Sequence, residues 1–168
     1  MTTVNGLPAH ILLVHAIVVL LPLSALLLVL SAVWPAARGK LAGPNAILAV
    51  LVVLLVPITT DAGEWLERRV ARTPLVRTHT ELGDTAIWVA LPVAVLALLV
   101  WWRTRETRQG AAKRTFLAPA SAAVTVVLAV LSVAAAGAAV FDVYRIGDSG
   151  AQATWQGQVD TAQAPGEH

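Results

Sequence analysis

Cysteine is missing from all 168 residues. Its absence excludes disulfides, thiolate zinc sites, iron–sulfur clusters and covalent c-type haem attachment through C-x-x-C-H. Charge is scarce as well: 13% of residues are Asp, Glu, Lys or Arg, against about a quarter in soluble domains. Phosphate-loop and dinucleotide glycine patterns are lacking, and so is H-E-x-x-H. No serine has a histidine partner in a frame suited to nucleophilic catalysis. What remains is apolar. With 57% hydrophobic residues and a mean hydropathy of +0.72, a single domain of this length cannot hide its apolar surface from water, so the excess must face lipid.

Four apolar stretches, roughly 8–34, 44–65, 79–102 and 115–141, can each supply the helical residues that cross a hydrocarbon core. Pro8 and Pro44 sit where a first-turn proline is tolerated. "THTE" (Thr78 to Glu81) has the spacing of a capping box, with Thr78 as N-cap. Pro22, Pro57, Pro92 and Pro119 fall inside the spans or near their starts and would kink helices within a bundle. No Lys or Arg precedes Arg38, so the first stretch lacks a signal peptide's basic region and reads as a genuine span, although "SAVWPAARG" offers a passable cleavage site. The expected fold is an all-α, four-helix transmembrane bundle over 1–146, followed by a polar, partly disordered extracytoplasmic tail over 147–168. In the last span Ser121, Thr125, Ala129, Ser132 and Ala136 recur at helical spacing, a stripe suited to close packing inside the bundle.

The basic residues sort by membrane side. Loop 35–43 carries Arg38 and Lys40 without an acid, and loop 103–114 carries Arg103, Arg105, Arg108, Lys113 and Arg114 against Glu106 alone. All nine remaining acids lie in the other segments. The positive-inside rule then places these loops in the cytoplasm and both termini outside a bacterial inner membrane. Trp34, Trp101 and Trp102 would form the inner aromatic belt, and Trp65, Tyr144 and Trp88 the outer one. The high pI, about 9.7, therefore reflects topology and attraction to anionic lipid rather than a nucleic-acid surface.

The chemistry collects at the outer face. His10 and His15 open span 1, Asp61 and Glu64 close span 2, and His79 and Asp84 open span 3. His10 and His15 are about 140° apart around a helix, so both cannot point squarely inward. His15, about 7.5 Å deeper along the axis, is expected to face the bundle and His10 to lie at the rim. Three uses of this layer follow. A haem b could take His15 and His79 as axial ligands, with its propionates near Arg68, Arg69 or Arg72. A single metal ion could be held by His15, His79, Asp61 and Glu64, a mixed set suited to Zn, Fe or Mn. In a cofactor-free structural or assembly subunit, the same residues would only lock the helices. "GDSG" (Gly147 to Gly150) has the look of a protease nucleophile motif, but the chain lacks that fold's length and disulfides, and the motif is expected to form a turn at a helix exit. A transporter is disfavoured because no charge is expected mid-membrane and no inverted repeat is visible.

"LPAHILLVHAIVVLLPL", "TTDAGEWLE", "THTELGD" and "VYRIGDSGAQATW" occur in this order. Over about residues 5 to 157 the chain resembles the bacterial integral-membrane proteins of domain-of-unknown-function family 2231, and the Ala-, Val- and Arg-rich composition fits an actinobacterial member. The resemblance implies four spans, histidines near one membrane face and, from members fused to cytochrome-like domains, a haem or redox role. Members often carry a histidine where Asp148 stands here. The expected protein is a small haem- or metal-binding membrane subunit without an evident catalytic group. Its expected partners are the lipid bilayer and either a membrane complex or further copies of itself.

Overall fold

Among the described residues the helices supply four candidate membrane spans by length and apolarity, Ala9–Val33, Pro35–Glu67, Pro74–Arg108 and Ala122–Trp155. The computed structural model describes residues 3–4, 6–108 and 121–156. A short antiparallel pair, β1 (Thr3–Val4) and β2 (Leu7–Pro8), opens the chain. It turns at Gly6, whose φ of 82° is a left-handed conformation open to glycine. The helices follow as α1 (Ala9–Val33), α2 (Pro35–Glu67), α3 (Pro74–Gly83), α4 (Ala86–Arg108) and α5 (Ala122–Trp155). Around the bundle α1 adjoins α2, α2 adjoins α4, α4 adjoins α5 and α5 returns to α1, while α3 lies chiefly on α5.

The core uses small side chains, which let membrane helices approach closely without a hydrophobic drive between them. Ala25, Ala46, Ala49, Ala90, Ala97 and Ala139 are buried between Leu21, Leu28, Val52 and Val93. The stripe on α5 faces this interior: Ser132 and Ala136 are buried, and Ser121, Thr125 and Ala129 are half-buried. Val19, Ile47, Leu54, Val126, Val130 and Phe141 are exposed on the outer surface, as a hydrocarbon solvent allows. Midway, Ser24 donates to Asn45 Oδ1 at 3.0 Å, joining α1 to α2 in a fully buried polar pair.

Several expected boundaries move. The loop placed at 35–43 is helical, and α2 begins at Pro35, so α1 and α2 are joined through Trp34 alone. Proline at the first helical position has the required φ built in, and Ala36, Ala37, Lys40 and Leu41 are good helix formers. Pro44 is consequently inside α2. Span 3 divides at Asp84–Thr85 into α3 and α4. Its N-cap is Thr73 rather than Thr78: the Thr73 hydroxyl accepts from Val76 N at 3.2 Å, with Pro74 following at the first helical position. Thr78 instead donates back to Pro74 O. The "GDSG" turn is absent, because α5 continues to Trp155 and carries Gly147–Gly150 as helix. Gln152 donates to Asp148 there at 2.8 Å, an i, i+4 bond that supports the helix. The expected start of span 4 at 115, Pro119, Lys113, Arg114 and the tail from 157 lie outside the described residues.

Candidate functional site

The ends of α1, α2, α3 and α5 meet in one polar layer, and its centre is His10 with His79. Their ring centroids are 6.3 Å apart with planes at 75°, an edge-on arrangement. Helix phase explains why His10 faces inward. It precedes the buried Ile17 by seven residues and Leu21 by eleven, the repeat of one helical face. His15 precedes Ile17 by two, about 200° around the axis. The expected roles of the two histidines are therefore exchanged: His10 is half-buried, whereas His15 is exposed. The His15 Nδ1–H donates to Ile11 O of its own helix at 2.6 Å.

Both inward imidazoles are oriented by oxygen acceptors. His10 Nδ1–H donates to Thr59 O of α2 at 3.0 Å. His79 Nδ1 lies 3.0 Å from Ser149 Oγ of α5, whose own proton goes to Ile146 O at 2.8 Å. The serine oxygen must therefore accept, which puts a proton on His79 Nδ1 and leaves the Nε2 lone pair bare. The same tautomer follows for His10, because a carbonyl can only accept. Two glycines seat the rings. A Cβ on Gly63 would lie 2.9 Å from His10 Cε1, and one on Gly150 would lie 3.0 Å from His79 Cε1.

One step deeper, the Thr85 hydroxyl at the α3–α4 junction lies 2.9 and 3.0 Å from the carboxylate oxygens of the buried Asp142 of α5 and 2.7 Å from Leu82 O, so its one proton is shared among them. Val56, Pro57, Thr60, Asp84 and Ile87 line a cavity of about 160 Å³ beside this junction.

The other expected site residues do not converge on the pair. Asp61 is exposed, and Glu64 is exposed and paired with Arg68 at 3.5 Å. Arg69 is exposed, stacks 3.7 Å over the Trp65 ring and donates to Trp65 O. Among the described residues no group of three or more His, Asp or Glu is placed to hold a metal ion, so the set His15, His79, Asp61 and Glu64 is not assembled. Of the expected ligands only His79 belongs to the layer, and His10, expected at the rim, takes the place of His15. Thr59, an expected acceptor for His15, accepts from His10 instead; Ser149, Thr85 and Asp142 were missed, since single polar side chains within an apolar helix announce no partner in sequence.

Fold and layer together define a polytopic membrane protein with four helices of spanning length and a histidine pair at one end. The chain belongs to the family described as "Predicted membrane protein (DUF2231)", whose model matches residues 6–163. No curated protein and no solved structure matches it.

Proposed function

We propose that the chain is a small membrane subunit that binds a haem through His10 and His79 and passes electrons to a partner in the same membrane. The observation that carries this is the pair of half-buried imidazoles, each held by an Nδ1–H bond to a fixed oxygen with Nε2 left bare. Histidine ligands to metals are held in this way, the second ring nitrogen donating to a carbonyl or other acceptor. Two imidazoles suit haem iron, which brings its own four equatorial nitrogens and needs only axial ligands. A single zinc ion would require three or four protein donors, so the donor set favours haem over a lone ion. Following the positive-inside rule, the basic end faces the cytoplasm of a bacterial inner membrane and the histidine end faces outside, with both termini.

One observation favours a purely structural role. The cavity of about 160 Å³ beside the layer is smaller than usual ligand pockets of roughly 300–1,000 Å³. In that role the histidines only lock four helix ends, and the chain serves as an assembly subunit.

Visible spectra of the protein purified in mild detergent, oxidised and reduced, separate the two. Haem binding predicts a reduced-haem band that is lost in His10→Ala and His79→Ala but kept in His15→Ala. A colourless, metal-free protein whose His10→Ala variant merely melts earlier would leave the structural role.

A further inference from the structure

A second polar cluster lies at the opposite end of the bundle. Arg38, in the first turn of α2, reaches back to α1, its Nε–H donating to Ser31 O at 2.8 Å and its Nη2 to Ala32 O. Arg103 of α4 is only 6% exposed. Its Nη2 donates to Thr125 Oγ1 at 2.7 Å and to Ser121 O at 3.4 Å. Both arginines line one small cavity together with Ala32, Val100 and Leu128. Every acceptor they meet is neutral. The ion pairs of the described residues, Arg68–Glu64 and Arg77–Glu81, involve neither of them, and nearby Glu106 accepts from Trp102 Nε1. Each guanidinium has five N–H donors, so both retain donors without an acceptor among the described residues. Two like charges thus share one small cavity with no counter-anion among the described residues, an arrangement whose cost an anion would remove.

We propose that Arg38 and Arg103 form a binding site for the phosphate of an anionic phospholipid. The guanidinium fork matches phosphate oxygens in geometry as well as charge. The cavity holds about 10 Å³, room for roughly one water-sized atom, so a phosphate oxygen enters while the glycerol and acyl chains stay outside. The cluster lies at one end of helices long and apolar enough to cross a membrane, so the anion argued for is a lipid phosphate. Arg108 donates to Gly39 O beside this site and closes α4 onto α2.

Native mass spectrometry of delipidated protein in mild detergent tests the site, with phosphatidylglycerol titrated against phosphatidylcholine. The wild type should retain one phosphatidylglycerol in preference to phosphatidylcholine. Retention should fall about tenfold, one decade in the binding constant, in Arg103→Gln and in Arg38→Gln, and should be unchanged in Arg105→Gln, whose guanidinium lies over the Trp101 ring. Should the glutamine variants fail to fold, Arg103→Lys keeps the charge without the fork and should still weaken retention. Equal retention of the two lipids, or an equal loss in Arg105→Gln, would overturn the site in favour of diffuse attraction. A rise in melting temperature with inorganic phosphate that equals the rise with phosphatidylglycerol would overturn the lipid as its source.

Discussion

The His10 ring lies so close to Gly63 that a Cβ there would stand 2.9 Å from Cε1. Gly63→Ala should therefore displace the ring or the helix end. Overpacking of this kind costs about 1–3 kcal/mol, read as a lower midpoint of thermal or denaturant unfolding in detergent. Gly137→Ala is the control: nothing lies within 4 Å of its added Cβ, and an alanine inside α5 should be neutral or stabilising by up to about 1 kcal/mol. Equal losses in the two variants would show that the ring is not the cause.

Ser24 and Asn45 join α1 to α2 in the apolar middle of the bundle. A double-mutant cycle with Ser24→Ala and Asn45→Leu should give a coupling of about 0.6 kcal/mol and at most about 1.7 kcal/mol, the average and the maximum for hydrogen bonds between membrane helices. Strict additivity would mean that the pair is only a packing contact.

Thr85→Val would remove the hydroxyl whose proton the buried Asp142 shares with Leu82 O. A stranded polar group costs about 1–3 kcal/mol, and more when charged. Replacing both partners, in Thr85→Val with Asp142→Leu, should restore much of that loss, because no polar group is then left unpaired. A double variant as unstable as the sum of the singles would contradict this pairing.

Orientation is checked by a reporter inserted after Lys113, which should behave as cytoplasmic. An external signal would reverse the proposed sides while leaving the helix packing unchanged.

The bundle was legible because length, apolarity and charge act coarsely. Arg38, Arg103 and Arg108 gather at one end because a charge is costly in hydrocarbon wherever it sits on a helix. Side-chain direction was not legible in α1. Apolar residues surround His10 and His15 on every side, so no polar face sets the helix phase, and the partner helices decide it through Ile17 and Leu21. Depth along the axis favoured His15, but rotation about the axis selects His10. Gly147 and Gly150 signal a turn when taken locally; packing of α5 against His79 and the Asp148–Gln152 bond keep them helical. The Pro35 junction shows the same limit, since a basic stretch between two apolar runs has the composition of a loop whether or not it is helical.

The extension of α5 to Trp155 changes where the protein can be cut. A chain ending at residue 147 would keep the apolar length of all four spans and would still be expected to insert in the membrane. It would nevertheless lose Ser149, whose hydroxyl oxygen accepts the hydrogen bond from His79, and Gly150, on which that ring rests. Insertion and assembly of the histidine layer are thus separable along the chain, and the second depends on residues synthesised after the membrane part is complete.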